Sequence, residues 1–220
     1  MELSELQKLI KEIPVMKQST KVNEDSWKEK LKDNDTCLKL FNDINEKYKG
    51  EISRQEVLNE KDSKRKIMMT LMWGYPTGGR GNNISHVLKN FDSLDEILNK
   101  YGEPCAENKL NNDEFSKLYN QLRPISGLGP STWSKLLYFF NFYIDGNKCL
   151  IYDQKIVSSL NRKQFFELAN DKKEYKHNKK DYLIYLQKVK EWAEEIDKDS
   201  ETPDKIEVFL FYFNLYYKWS

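Results

Sequence analysis

The stretch PISGLGPSTWSKLLYFF, residues 124–140, constrains the fold of this chain more than any other. Two glycines bracket a single leucine, and a proline follows before an apolar helical run. Glycine is unfavourable inside a helix, and proline is tolerated only in the first turn. Gly127-Leu128-Gly129-Pro130 must therefore end one helix and start another, so the chain turns a tight corner here. Such a corner gathers consecutive backbone N–H groups at the positive end of the second helix, a geometry that takes a phosphate without reading a base. Glycine serves it twice, by accepting positive φ and by letting a phosphate approach with no Cβ in the way. Leu128 is expected to point inward and pin the turn, and Pro130 to fix the first turn of the following helix. The same residues can equally form only a helix C-cap and a close helix–helix corner.

Helical periodicity runs through the rest of the sequence, and the fold class is all-α. Residues 1–13 read as an amphipathic helix, and 26–48 and 53–73 as two long ones, the second with Ile67, Met68, Leu71 and Met72 on its apolar face. The loop WGYPTGGRGNN (73–83) breaks the pattern. Ser93 with Glu96 has the spacing of a capping box and predicts a helix from Leu94. Asn112 or Asp113 predicts the start of a helix that runs to about Leu122, and Pro130 one that runs to about Tyr143. CLIY (149–152) is too short for a strand and has no partner. Further helices are expected near Gln154, near Phe165, from Asp181 to Ile196, and after Thr202-Pro203. The polar run 170–181 reads as a solvated loop or helix end, and residues 1–220 read as one helical domain.

Composition narrows the function classes. Hydrophobic residues are 39% and aromatic residues 13%, which can fill a core. No apolar run approaches the ~18 residues of a membrane span, and the amino terminus lacks the pattern of a secretion signal, so a cytoplasmic chain is expected. Cys37, Cys105 and Cys149 are scattered, which suits a reducing compartment, and with only His86 and His177 there is no metal-ligand spacing. The net charge is only +1, but residues 117–162 carry six basic side chains against Asp145 and Asp153, a local +4. Five of the 36 basic residues are arginine, among them Arg80 in the glycine-rich loop and Arg123 beside the corner; their planar forks suit phosphates and bases.

ISGLGPSTWSKLLYFF followed by IYDQKIVSSL resembles the helix-hairpin-helix DNA glycosylase superfamily. In that superfamily a hairpin of the form L-P-G-h-G-x-x-[ST]-A precedes an aspartate in a V-D-x-x-V setting. Gly127, Leu128 and Gly129 match the hairpin, and Asp153 within Ile151–Val157 matches the aspartate. WSKLLYF, the WGYPTGGRG loop and EVFLFYF look most like compact prokaryotic proteins of 8-oxoguanine DNA glycosylase-like fold, often found beside anti-phage defence genes. The specific resemblance covers residues 120–160, with weaker echoes at 65–83 and 203–217.

The resemblance implies two helical lobes with a cleft, a monomer acting on DNA, and no cofactor beyond a monovalent cation that the hairpin could hold. It implies DNA contacts from Gly127, Leu128, Gly129, Ser131, Thr132, Lys135, Arg123 and Lys155. Asp153 is the implied catalytic carboxylate, suited to stabilising an oxocarbenium-like sugar and orienting water; an aspartate before a short helix is also an everyday N-cap. Trp73, Tyr75 and Trp133 are candidates to stack on a flipped base, with Arg80 and Asn82 to fill the gap or hydrogen-bond, though Trp73 can equally be core.

Two positions depart from the family. Bifunctional members carry a lysine where this chain has Ser131, which implies hydrolysis without efficient lyase activity. Lys135, one turn on, is expected to contact DNA or reach solvent, although it could stand in for that lysine. Trp133 replaces a small residue, so either the packing is looser or the indole faces a pocket. A DNA-binding module without chemistry, or a nucleoside or RNA-base glycosidase, are the competing readings.

Overall fold

Asparagine and aspartate side chains open six of the twelve described helices, and such caps make the elements shorter and more numerous than the periodicity suggests. The computed structural model describes residues 6–79, 81–162, 174–197 and 202–216. In chain order the helices are α1 (Gln7–Lys11), α2 (Glu24–Leu31), α3 (Asp35–Lys47), α4 (Arg54–Asn59), α5 (Ser63–Gly74) and α6 (Asn83–Lys89). There follow α7 (Phe91–Tyr101), α8 (Asn112–Leu122), α9 (Pro130–Phe139), α10 (Gln154–Leu160), α11 (Lys179–Ile196) and α12 (Thr202–Tyr216). The fold is mostly helical, as expected. The helix anticipated near Phe165 lies outside the described residues.

The run 26–48 is two helices, because the Asn34 side chain accepts from the Cys37 N–H at 3.0 Å and starts α3 afresh. The run 53–73 is likewise divided: Ser53 and Glu56 form a capping box on α4, and Asp62 caps α5 through the Arg65 N–H at 2.8 Å. Ser93-Glu96 is not a cap. Asn90 ends α6 and begins α7, which leaves Ser93 inside the helix. Asn111, not Asn112 or Asp113, caps α8, in a reciprocal box with Glu114.

The chain divides into two compact units, Met16–Gly146, and Met1–Val15 with Asn147–Ser220. The first is built around α5, whose residues Lys66 to Met72 are all fully buried. A helix covered on every side is a central one, so the single apolar face expected here becomes a full circumference. Helices α3, α4, α7 and α9 pack against it. Short strands appear where none was expected: β1 (Ser19–Lys21) pairs antiparallel with β2 (Glu51–Ser53), and β3 (Asn108–Leu110) pairs parallel with β4 (Phe142–Ile144). At three residues each, these strands are too short to show alternation. Helix α9 stops at Phe139 rather than Tyr143, because Asn141 turns into the left-handed region at φ 55° and β4 begins.

In the second unit α10 and α11 pack on α12, and α1 also lies against α12. A two-residue strand, β5 (Asn147–Lys148), lies beside α11. On α12 Phe209 and Phe213 are buried, as the sequence suggests, whereas Phe211 is half-buried and Tyr212 exposed, so the aromatic helix is core on one face only. No described helix is long and apolar enough to cross a membrane.

Candidate functional site

The corner between α8 and α9 is built from opposite uses of its two glycines. Gly127 has φ +82°, and a Cβ placed on it would stand 2.2 Å from the Asn83 carbonyl oxygen. It is glycine because the turn presses against the start of α6. Gly129 has φ −77° and ψ 176°, an extended conformation open to any residue, and a Cβ there would meet nothing within 4 Å. The positive φ expected of the glycines therefore holds for Gly127 alone. Gly129 leaves open space above the backbone at the N-cap of α9. Leu128 is 6% exposed and points inward, as expected.

The N–H inventory of the turn is smaller than the sequence implied. Leu128 N–H donates to the Ile125 carbonyl at 3.1 Å and Gly129 N–H to the Gly127 carbonyl at 3.1 Å, so the turn consumes both. Thr132 and Trp133 N–H groups donate back to the Gly129 carbonyl. What the corner offers a ligand is the positive end of a ten-residue helix beneath an unobstructed glycine, flanked by exposed Arg123 and half-buried Ser131. On the α6 side, His86 Nδ1 lies 3.3 Å from the Ser126 hydroxyl of the turn, a neighbour that a single histidine in a sequence does not announce.

Behind the corner, Lys135 contradicts its expected path to solvent. It is 5% exposed; its ammonium donates to the Ser131 carbonyl at 3.0 Å and sits 5.2 Å from the centre of the Tyr75 ring. Its stem runs past Gly74, where a Cβ would come within 2.7 Å of Lys135 Cδ. Tyr75 is half-buried, and its hydroxyl meets Thr132 Oγ1 at 2.7 Å. The turn after α5 is thus joined to α9 by a tyrosine, a threonine and a lysine.

Trp133 is 2% exposed, edge-on to Tyr119 and tilted against Phe115, so its indole is packed rather than facing a pocket. Trp73 is 8% exposed, with Nε1 donating to the Gln18 carbonyl and its ring against Phe139 and the Arg54 guanidinium. Both indoles are core, because the neighbours that decide this come from distant sequence. Asn82 is exposed at the start of α6 and makes no capping bond. Arg80 lies outside the described residues.

In the second unit Asp153 is the N-cap of α10. Its Oδ1 accepts from the Lys155 N–H at 2.9 Å and the Ile156 N–H at 3.1 Å. No described residue hydrogen-bonds to Oδ2, and the side chain is half-buried. One oxygen holds the helix, and the other has no hydrogen-bond partner among the described residues. Lys155 does not project freely; its ammonium lies 4.2 Å from the centre of the Phe211 ring.

The position of Asp153 is fixed by residues the sequence did not single out. Tyr152 is fully buried, stacks on Tyr185, and donates its hydroxyl to the Lys176 carbonyl at 2.9 Å. Burial pushes its phenol well above the ordinary tyrosine range, so the hydroxyl stays a donor. His177 Nε2 lies 2.8 Å from the Tyr152 carbonyl oxygen, and since a carbonyl only accepts, that nitrogen carries the proton. At the far end of α10, Asn161 exchanges two hydrogen bonds with the Tyr175 backbone. The segment 174–178, expected as solvated, is stitched to both ends of the helix that Asp153 caps.

The family model described as "Putative 8-oxoguanine DNA glycosylase OGG-like protein" matches residues 13–211, most of the chain. No curated protein and no solved structure matches it.

Proposed function

Since the chain belongs to the OGG-like family of 8-oxoguanine DNA glycosylase-like proteins, we propose that it is a monofunctional DNA glycosylase that hydrolyses the N-glycosidic bond of a damaged or modified base. The observation that carries this reading is the divided carboxylate of Asp153, with Oδ1 bound by two backbone N–H groups and Oδ2 without a partner among the described residues. As the base leaves, positive charge builds on the deoxyribose. A fixed carboxylate oxygen stabilises that charge and orients or deprotonates the attacking water. An oxygen already tied to a helix start cannot swing away, so its partner is preorganised.

In this reading the α8–α9 corner holds a DNA phosphate over Gly129, with Arg123 and Ser131 beside it. Thr132 and Lys135 support the corner from within. Leu128 anchors it, and Lys155 presents its backbone to Asp153. The target nucleotide is flipped out of the stack, with Tyr75, Arg80 and Asn82 the remaining candidates to meet it. Ser131, standing where lyase members carry a lysine, favours water as the nucleophile. Repair of damaged bases and removal of modified bases from invading phage DNA both fit this chemistry.

Asp153→Asn tests it. Asparagine keeps a capping oxygen, so the fold and duplex binding are retained. Base release, beginning with an 8-oxoguanine duplex and extending to other modified bases, falls ~10²–10⁴-fold. Unchanged release by the variant overturns the role of Asp153. Absence of release by the wild-type chain from every substrate leaves a module that holds DNA without chemistry.

A further inference from the structure

Lys66 and Cys105 form a pair of nucleophiles that DNA binding and base release leave unused. Lys66 is fully buried in the middle of α5. Its Nζ donates to the Leu58 carbonyl at 2.9 Å and the Phe139 carbonyl at 3.2 Å, near the C-terminal ends of α4 and α9. Its third contact is Cys105 Sγ at 3.6 Å, and no described carboxylate pairs with it. The two carbonyls take two of its N–H groups, and the remaining position on nitrogen, an N–H when protonated and the lone pair when not, faces sulfur. Burial lowers the hold of Lys66 on its proton, with Cys105 and Glu60 acting in the opposite sense.

Cys105 meets this amine from the other side. It is exposed, in the loop between α7 and β3, and sits in the left-handed region at φ 66°. Its thiol is also within reach of the Leu58 and Glu60 carbonyls, at 3.3 and 3.2 Å, which hold sulfur beside the amine. An oxidant in solvent can therefore reach a thiol whose inner neighbour is a buried lysine. Cys37 and Cys149 are both buried, so neither is presented to solvent as a resolving thiol.

We propose that Cys105 and Lys66 form a covalent sulfur–nitrogen bridge when the protein meets a peroxide-class oxidant. The Cys105 thiol reduces the peroxide by two electrons, becoming a sulfenic acid and releasing one water. Lys66 attacks that sulfur through its deprotonated form; the S–N bond forms, and the sulfenic oxygen leaves as a second water with an amine proton. The pair loses two hydrogens in all, and the peroxide becomes two waters. A dithiol reverses the bridge by reducing the S–N bond. The bridge takes a potential cation from the end of α9, whose other end carries the Gly129 corner. It does not depend on the glycosylase reading.

The test is peptide mass spectrometry of the full chain after treatment with hydrogen peroxide, without reductant. The expected product is a peptide joining Cys105 to Lys66, lighter than its parts by two hydrogens, lost on dithiol treatment and absent from Cys105→Ser. The proposal is overturned if Cys105 returns unchanged, carries only added oxygens, or is found in a disulfide. It is also overturned if Lys66 is cross-linked in Cys105→Ser.

Discussion

Replacing Gly127 and Gly129 by alanine, one at a time, separates the two jobs the corner gives its glycines. At Gly127 the new residue must hold φ +82°, which costs an L-residue ~1–2 kcal/mol. Its Cβ also lands 2.2 Å from the Asn83 carbonyl oxygen and 3.0 Å from Asn83 Cα. These are backbone atoms at the start of α6, so no side-chain rotation relieves them, and overpacking of this kind costs ~1–3 kcal/mol. Together the two effects reach about 2–5 kcal/mol, which for a chain of this size lowers Tm by roughly 5–20 °C. Gly129 is different, because its φ of −77° suits alanine and its Cβ meets nothing. Alanine is a poorer N-cap but restricts the unfolded chain, and these opposing effects are each below about 1 kcal/mol. The added methyl group instead occupies the approach to the α9 N-terminus. Thermal melts and duplex affinity by fluorescence anisotropy at fixed salt read both effects. Gly127→Ala should melt well below wild type. Gly129→Ala should melt within a few degrees of wild type yet bind DNA more weakly. Wild-type affinity of Gly129→Ala across a salt series would refute the phosphate path, and a wild-type melt of Gly127→Ala would refute the close-approach argument.

Burial separates the charged residues near the corner in a measurable way. Exposed Arg123, changed to alanine, should lower the slope of log affinity against log salt by ~1 if it neutralises a phosphate, while Lys135→Met should leave the slope unchanged. Borohydride added during turnover should trap no enzyme–DNA adduct, and a Lys135-dependent adduct would contradict hydrolysis by water. Burial pushes the Cys37 thiol up to about 11 and the Cys149 thiol up to about 12, so below pH 9 both remain protonated in the native protein. Iodoacetamide at pH 8 should then add one group, on Cys105, and two or three additions under native conditions would contradict that burial.

The corner was legible because glycine and proline report on local backbone and need no distant partner. Asp153 was legible for the same reason, since an aspartate before a helix start is a local signal whether or not it also does chemistry. The breaks at Asn34 and Asp62 were not, because a cap and a residue on a polar helix face look alike within an amphipathic pattern. Ser93 and Glu96 mislead in the opposite sense: the spacing is right, but α7 has already begun at Phe91. Side-chain fates depended on residues far away in sequence. Trp133 is core because Phe115 and Tyr119 lie against it, and Lys135 is buried because Gly74 leaves its stem a path beneath Tyr75. The support of Asp153 by Tyr152 and His177 needed two segments 25 residues apart to meet.

A glycosylase of this kind releases a base from DNA. Mass spectrometry of small molecules freed when the wild-type protein is incubated with genomic and phage DNA of differing modification tests it most directly. The expected products are a free modified base and intact phosphodiester strands carrying abasic sites, with release of that base lost in Asp153→Asn. Absence of any free base, or strand cleavage with every base still attached, would contradict it.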